Sequence, residues 1–196
     1  MKVIFAQGNP GTKYVHNRHN TGFFMINRFA DAIDGSWIEK KKFNAEIIET
    51  TIEGEKVLLV KPSTFYNDTG LSARQLLDFY SLNPAEDFLV IHDDLALPIG
   101  TVRTRKQGSD AGNNGIKSLN QHIGEHYSRI RVGIWTELRD HMDDVAFVLG
   151  NFTKEEKDVL LQAYPHVASF IKEFVDGSLS HGTAKVELAP TPPLGV

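Results

Sequence analysis

The sequence predicts a single α/β domain with three layers, in which helices cover both faces of a central mixed, mostly parallel sheet. Short apolar runs alternate with longer segments whose apolar residues recur at helical spacing, a pattern typical of such domains. Two of the apolar runs are joined by a Glu-Gly turn, which adds an antiparallel pairing and makes the sheet mixed. With 196 residues, 41% of them hydrophobic, the chain can bury one sizeable core.

The elements of the first half of the chain follow from its apolar runs and the residues that end them. Gly8 ends the first run, and Glu53-Gly54 joins two further runs into a hairpin. Asn20 or Thr21 can cap the first helix, and Asn83-Pro84 ends the second. The predicted elements are strand 2–7, helix 22–34, hairpin strands 43–52 and 55–60, helix 67–82 and strand 87–92.

The second half of the chain continues this alternation. Residues 107–115 are a loop by composition, since Gly, Asn, Ser and Asp dominate them. Pro165 is a potential kink in a long amphipathic helix. The Pro-rich residues 187–196 are expected to be a disordered tail, so residues 1–186 form one catalytic domain. The predicted elements are strand 101–105, helix 115–123, strand 129–134 and helix 154–176.

Composition and charge exclude several classes of protein. The chain contains no Cys, so neither disulfides nor thiolate chemistry is available. No apolar run reaches the roughly 18 residues of a membrane span, and no signal-peptide pattern is present, so we expect a cytoplasmic protein with no membrane partner. The net charge of −4 argues against general nucleic-acid binding unless basic residues cluster locally. Such clusters, each also explicable as an ordinary solvated face, are Lys40–Lys42, Arg103–Lys106 and Arg129–Arg131.

Polar side chains follow several of the predicted strands. Asn9 and His19 come after the first strand, and Asn67 comes after the hairpin. Asp93 follows the third apolar strand, and Asn114 lies in a Gly-Asn-Asn-Gly turn. Because loops at the carboxyl ends of strands in an open sheet converge on one crevice, we expect these side chains to share a site. Simpler roles are also available, since Asn67 and Asp93 can cap a helix or a turn and Asn114 can be a turn residue.

This set of side chains suits the attack of water on an activated carbonyl. A neutral His19 can take a proton from water, and a carboxylate on its other nitrogen would fix the tautomer and stabilise the imidazolium. Asn amides can orient a water molecule and donate to an oxyanion. His122 and His126 have the i, i+4 spacing of metal ligands on a helix, but Gly124 lies between them and no Glu follows His122. Nucleophile-elbow, dinucleotide and Walker motifs are also missing, so we expect neither metal nor cofactor.

Five motifs occur in a fixed order along the chain. They are Gly-Asn-Pro-Gly-x-x-Tyr-x-x-x-Arg-His-Asn-x-Gly at 8–22, Lys-Pro-x-Thr-Phe-x-Asn-x-x-Gly at 61–70, His-Asp-Asp-Leu-x-Leu-Pro-x-Gly at 92–100, Gly-Asn-Asn-Gly-x-x-Ser at 112–118 and Arg-Ile-Arg-x-Gly-Ile at 129–134. Together these motifs are very specific. Over roughly residues 2–175, the chain resembles the bacterial peptidyl-tRNA hydrolases.

The resemblance implies a monomeric α/β enzyme that needs no cofactor. Its reaction would be hydrolysis of the ester between an N-blocked aminoacyl or peptidyl group and the 3′ end of tRNA, which frees the tRNA for reuse. By motif, His19 would be the general base, Asp93 would stabilise its working form, and Asn9 would help discriminate N-blocked from free aminoacyl-tRNA. The remaining residues would bind the tRNA: Tyr14, Phe65, Asn67 and Asn114 at its acylated end, and Arg103, Arg105 and Arg131 at its phosphates. Phosphate contacts give affinity without sequence information, as an enzyme that serves many tRNAs requires.

The chain departs from the usual pattern of this family at several positions, none of which removes a proposed catalytic group. Tyr66 stands where Met is usual, and Asn113 stands where His is usual. The other departures are Gln7, Ala96, Ser109-Asp110-Ala111 and Trp135.

Two alternative functions stay open at this point. One is a non-catalytic RNA-binding relative, against which the complete set of polar site residues argues. The other is a hydrolase of small N-acyl esters that does not bind tRNA, against which the basic residues at 103–106 argue more weakly.

Overall fold

A mixed sheet of eight strands forms the centre of the computed structural model, which describes residues 1–186. The strands are β1 (Lys2–Ala6), β2 (Ile38–Lys40), β3 (Ala45–Ile52), β4 (Glu55–Pro62), β5 (Phe88–Pro98), β6 (Thr101–Arg105), β7 (Ser128–Trp135) and β8 (Thr183–Lys185). The helices are α1 (Thr21–Ala32), α2 (Thr69–Tyr80), α3 (Pro84–Asp87), α4 (Asn114–Ile123), α5 (Asp144–Leu149) and α6 (Lys154–Val175).

The strand order is β2-β3-β4-β1-β5-β7-β6-β8. The central strands β4, β1, β5 and β7 pair in parallel, and the pairings on either side of them are antiparallel. Within residues 1–186, six of the eight strands therefore point the same way, although only three of the seven pairings are parallel. The mixed sheet is confirmed, and "mostly parallel" describes strand direction rather than pairing. Two of the four antiparallel pairings involve β2 and β8, which are three-residue edge strands too short to be recognised from apolar periodicity.

Helices cover both faces of the sheet because its central strands are apolar on both sides. In β1, Val3 and Phe5 pack with apolar residues of α2 and α4, whereas Ile4 and Ala6 pack with those of α1 and α6. Strands that are buried on both faces in this way are typical of parallel strands between two helical layers. The predicted three-layer α/β/α architecture is confirmed.

The hairpin is found where the sequence places it, with Glu53 and Gly54 at its turn. Both residues have positive φ, 52° and 84°, as the twist of a two-residue hairpin turn demands. The long C-terminal helix is also found, and α6 is assigned as one helix with Pro165 inside it.

The strand predicted at 87–92 is longer than expected. It was predicted to end at residue 92, but β5 continues through Asp93 and Asp94 to Pro98. The expectation that Asp93 follows the strand is therefore wrong, because hydrogen bonding to β7 continues past the end of the apolar run. A register shift against β7 occurs only after Asp94, so the backbone of Asp93 is held on a regular ladder.

Two short helices, α3 and α5, were not predicted, since four and six residues are too few to show helical periodicity. Over residues 1–186, no helix has both the length and the apolar character needed to cross a bilayer. The expected tail at 187–196 lies outside the described residues.

Candidate active site

A cleft of about 860 Å³ opens where the predicted site segments converge. Its walls come from residues that follow β1 and β4, from the second half of β5, from the loop before α4 and from α5. Of the predicted site residues, it brings together Asn9, His19, Phe65, Asn67, Asp93, Arg105, Asn114 and Arg131. Two further predicted site residues, Tyr14 and Arg103, are not among the described residues that line the cleft.

His19 and Asp93 are paired at the base of this cleft. The Nδ1 atom of His19 lies 2.9 Å from Oδ2 of Asp93. The Asp93 side chain is only 2% exposed, and that of His19 is 14% exposed. Because an ionised carboxylate only accepts hydrogen bonds, Nδ1 carries the hydrogen of a neutral ring. The Nε2 lone pair is then the one that can act as a base toward the cleft.

The second oxygen of Asp93 is bonded to a tyrosine that sequence reasoning treated only as a departure from the family pattern. The Tyr66 hydroxyl donates to Oδ1 of Asp93 at 2.5 Å. The Tyr66 ring also stacks on the His19 ring, with 3.5 Å between centroids and 18° between planes. Asn113, a second departure, donates from Nδ2 to the Tyr66 hydroxyl at 3.0 Å.

Burial and hydrogen bonding oppose each other at Asp93. Burial acts to raise the pKa of the Asp93 carboxyl, but the positive charge of a protonated His19 and the hydrogen bonds from His19 and Tyr66 outweigh it. The pKa of Asp93 is therefore lowered, and the group is a carboxylate at neutral pH. Burial raises the pKa of the Tyr66 hydroxyl well above its ordinary value, and the Asp93 charge adds to this shift. Tyr66 thus stays a neutral donor.

Asn9 is fixed by three hydrogen bonds. Its backbone N–H donates to Oδ1 of Asn20 at 2.8 Å, and Nδ2 of Asn20 donates back to the Asn9 carbonyl at 2.9 Å. Its side-chain Oδ1 accepts from the Tyr66 backbone N–H at 2.9 Å. The side-chain group left for a ligand is Nδ2, which can only donate. Asn20 occupies the N-cap position of α1 but does not cap it with its side chain, since that amide is bonded to Asn9.

The turn that carries His19 is anchored by its neighbour Arg18. This guanidinium is 2% exposed and donates from Nη2 to both carboxylate oxygens of Glu156 on α6, at 2.8 and 2.9 Å. It also donates from Nη1 to the Phe147 carbonyl of α5 at 3.2 Å. The Arg18 backbone N–H donates to the Gly150 carbonyl at 3.0 Å. The turn before α1 is therefore held against α5 and α6.

Asn67, Phe65 and Asn114 each lie where a ligand can reach them. Asn67 is exposed in a short 3₁₀ turn, and α2 begins only after Asp68, so Asn67 is not the cap of that helix. Phe65 is 59% exposed, although it is a large apolar side chain at the edge of the cleft. Asn114 is the first residue of α4, whose N-cap is Asn113.

Four arginines lie on one face of the β6–β7 ladder. Arg103 is paired with Arg131 and Arg105 with Arg129, and alternate residues of a strand share a face. Arg131 donates from Nε to Oδ2 of Asp94 at 2.5 Å, and Arg103 donates to Oγ1 of Thr183 at 3.1 Å. The buried Arg129 donates to the carbonyls of Gly108 and Ser109, so it anchors the loop before α4 instead of facing solvent.

Four residues of this site were not predicted from the sequence: Tyr66, Asn113, Asn20 and Arg18. Arg18 and Asn20 flank His19, which is the one signal that could have drawn attention to them. Tyr66 and Asn113 were visible only as unusual residues. Across residues 1–186, no group of three or more His, Asp or Glu side chains is arranged to hold a metal ion.

The arrangement can support general-base chemistry on a substrate in the cleft. A histidine with a fixed tautomer and a free Nε2 is paired with a buried carboxylate. Asparagine amides lie at the edges of the same cleft, where they can donate to a carbonyl or an oxyanion.

Comparison with known proteins gives one consistent result. A family model described as "Peptidyl-tRNA hydrolase" matches residues 3–192. The chain is 41% identical over 175 residues to the peptidyl-tRNA hydrolase of Listeria welshimeri, covering 89% of this chain and 93% of that protein. It is 36% identical over 186 residues to that of Rickettsia africae, covering 95% of this chain and all of that protein. The crystal structure of peptidyl-tRNA hydrolase from Acinetobacter baumannii is similar, with a TM-score of 0.82 and 32% identity over 90% of this chain and 89% of that chain.

Proposed function

The chain belongs to the peptidyl-tRNA hydrolase family, and from this premise we propose that His19, held by Asp93, activates the water that cleaves peptidyl-tRNA. The single observation that carries this proposal is the 2.9 Å contact between His19 Nδ1 and Asp93 Oδ2 in the cleft. The contact gives the ring the tautomer that a general base requires.

In the proposed reaction, His19 Nε2 takes a proton from a water molecule as its oxygen attacks the ester carbonyl. Asp93 stabilises the imidazolium that forms. The bond between the carbonyl carbon and the 3′ oxygen of the terminal ribose then breaks, and that oxygen receives the proton from His19. The products are a peptide with a free carboxyl group and a tRNA with a free 3′-terminal hydroxyl. The amides of Asn67 and Asn114 are suited to stabilise the oxyanion or to hold the substrate.

Asn9 is proposed to test whether the amino group of the substrate is blocked. Its Oδ1 is bonded to the Tyr66 backbone, so Nδ2 is the part of the side chain offered to a ligand. An N-blocking acyl group presents a carbonyl oxygen that can accept from Nδ2. A free α-ammonium presents only donors, so it leaves Nδ2 unpaired in a largely buried place, which is costly.

The tRNA is proposed to approach over the arginine face of β6 and β7. Arg105 and Arg131 line the cleft, and in this proposal they meet phosphates near the acylated end. Phe65 offers an exposed aromatic face on which a base can stack. Tyr14 and Arg103 lie outside the cleft lining and would meet the tRNA only beyond it.

The predictions about domain extent and cellular location are consistent with a tRNA substrate. We propose that residues 1–186 form the catalytic domain and that the enzyme acts in the cytoplasm, where tRNA is used in translation. Its action as a monomer stays a prediction.

The test compares cleavage of N-acetyl-aminoacyl-tRNA with cleavage of free aminoacyl-tRNA. We expect wild type to cleave only the blocked substrate, and His19→Ala to lose about 10²-fold or more in rate, the scale of general-base catalysis. His126→Ala, which changes an exposed histidine, is the control and should retain full activity. Full activity in His19→Ala would contradict the mechanism.

The same assay separates the two alternative functions. Binding of tRNA by wild type without cleavage would indicate the RNA-binding relative. Equal cleavage of N-acetyl-aminoacyl-tRNA and of a small N-acetyl amino acid ester would indicate a hydrolase that does not use the tRNA.

A further inference from the structure

Tyr66 is the one side chain among the described residues that is bonded to Asp93 and also stacked on His19. Its hydroxyl lies 2.5 Å from Asp93 Oδ1, and its ring centroid lies 3.5 Å from that of His19. The residue is 2% exposed, so substrate cannot reach most of its surface. The backbone N–H of Tyr66 holds Asn9, whereas its hydroxyl and ring reach the reaction through Asp93 and His19.

The direction of each hydrogen bond around Tyr66 is fixed by its partners. Nδ2 of Asn113 can only donate, so the Tyr66 oxygen accepts this bond at 3.0 Å. The single hydroxyl hydrogen of Tyr66 is then free to point at the Asp93 carboxylate. Oδ1 of Asn113 accepts from the Ile116 backbone N–H at 3.0 Å, which fixes the orientation of the amide. Asn113 therefore donates a hydrogen bond to Tyr66, and Tyr66 donates one to Asp93.

Each oxygen of the Asp93 carboxylate accepts a hydrogen bond from a different donor. Oδ1 accepts from Tyr66, and Oδ2 accepts from His19. A hydrogen bond from Tyr66 stabilises the carboxylate and weakens its attraction for a proton on His19. The parallel rings leave His19 little room to rotate, which keeps Nδ1 directed at Asp93.

We propose that Tyr66, fixed by Asn113, is a positioning residue that orients His19 and sets the pH range in which His19 acts as a base. This inference rests on the proposed function of His19 and Asp93, and it assigns to Tyr66 a part that no motif of the chain indicates.

Other titratable and charged groups surround the pair, and Tyr66→Phe changes none of them. On the strands, they are His92 and Asp94 of β5, Arg105 of β6, and Arg129 and Arg131 of β7. Elsewhere around the cleft, they are Asp110 in the loop before α4, Arg139 in a 3₁₀ turn before α5, and Asp144 at the start of α5.

The first experiment is the pH dependence of kcat/KM in Tyr66→Phe, which keeps the stacked ring and removes the hydroxyl. Without the Tyr66 donor, more of the Asp93 charge acts on His19 and favours its protonated form. A hydrogen bond to a charged group is worth roughly one pH unit or more for that group, here Asp93, and only part of this effect acts on His19. We therefore expect the acidic limb of the profile to move to higher pH by about 0.5 to 1 unit. The control is Tyr127→Phe, which removes another buried tyrosine hydroxyl, bonded to Asn120, and should leave the limb in place.

A second measurement tests the effect of Tyr66 on His19 without relying on catalysis. The ¹⁵N NMR titration of His19 in Tyr66→Phe should show its pH midpoint displaced upward with the acidic limb. Asn113→Ser retains a helix-capping oxygen, but its shorter side chain cannot reach Tyr66. As a single substitution it should shift the His19 midpoint. Added to Tyr66→Phe, it should cause no further shift.

The outcomes separate this inference from the proposed function. An unchanged limb and an unchanged NMR midpoint in Tyr66→Phe would overturn the role of Tyr66, even if the variant is less stable. Full activity in His19→Ala would instead overturn the mechanism, and the NMR midpoint would still report whether Tyr66 acts on Asp93.

Discussion

Arg18 and Glu156 form a buried ion pair, in which both carboxylate oxygens accept hydrogen bonds, and this pair joins the turn carrying His19 to helix α6. The two residues are 138 positions apart in the chain, so this pair holds the turn that carries His19 against the C-terminal part of the fold. Glu156 also accepts from the Thr153 backbone N–H at 2.7 Å, which makes it part of the cap of α6.

We expect Glu156→Gln to destabilise the fold by about 3 kcal/mol or more, because it leaves the Arg18 charge buried without its counter-ion. Urea unfolding measures the loss. The matched control is Asp78→Asn, which breaks the exposed pair with Arg74 on α2 and should cost less than about 1 kcal/mol. Equal losses in the two variants would contradict the importance of the buried pair.

Asp93→Asn should lower kcat by about 10²- to 10⁴-fold. An asparagine can place its N–H against His19 Nδ1, which selects the wrong tautomer and leaves no lone pair on Nε2. Single-turnover hydrolysis of N-acetyl-aminoacyl-tRNA measures the change, and urea unfolding shows whether the variant is folded. A folded variant with the rate of wild type would be inconsistent with the proposed pair.

Asn9→Asp should reduce the preference for blocked substrates. Aspartate keeps an oxygen for the Tyr66 backbone N–H but replaces the Nδ2 donor with an acceptor. A blocking carbonyl is then repelled, whereas a free α-ammonium is attracted. We expect the ratio of kcat/KM for N-acetyl-aminoacyl-tRNA over free aminoacyl-tRNA to fall at least tenfold, about the value of one hydrogen bond. An unchanged ratio would remove Asn9 from substrate selection.

Binding of tRNA should weaken as salt is added, because phosphate contacts release counter-ions. Arg105→Gln and Arg131→Gln should each reduce the slope of log K against log salt by about one, without altering preference among tRNAs. Arg28→Gln, which changes an exposed arginine on α1 outside this cleft, should leave the slope as in wild type. A flat salt response in wild type would argue against the phosphate contacts.

Stability should fall in mild acid because of His92. Burial lowers the pKa of this histidine to about 4, against an ordinary value of 6.5. Between these values, the unfolded chain binds a proton that the folded protein does not, so this group makes stability decrease as pH falls from about 6.5 to 4. The slope from one such group approaches about 1.4 kcal/mol per pH unit. Urea unfolding at several pH values should show a shallower dependence in His92→Gln.

The sequence was sufficient to gather the main site residues because the topology places them together. Asn9 and Asn67 follow strands, and Asp93 lies midway along β5, just past its apolar run, so the parallel order of β4, β1 and β5 brings them to one edge of the sheet. The direction of the strands and their approximate ends are enough to bring these side chains together.

The roles of Tyr66 and Asn20 could not be obtained in this way. The Tyr66 hydroxyl meets Asp93 across 27 positions, and the reach of one side chain toward another is not encoded in local periodicity. Asn20 satisfies the rule for a helix cap, but tertiary contact with Asn9 takes its amide instead. Side-chain partners depend on packing, which local rules do not describe.

Asn113 bonds through its two amide atoms to the Ile116 backbone and to the Tyr66 hydroxyl. Opening of the first turn of α4 therefore disturbs the hydrogen bonds behind His19 as well. The exchange rate of a single backbone amide, that of Ile116, becomes a reporter of how often the site comes apart while the rest of the protein stays folded. Local opening of the helix end and loss of the contact between Asn113 and Tyr66 are then two measures of one equilibrium.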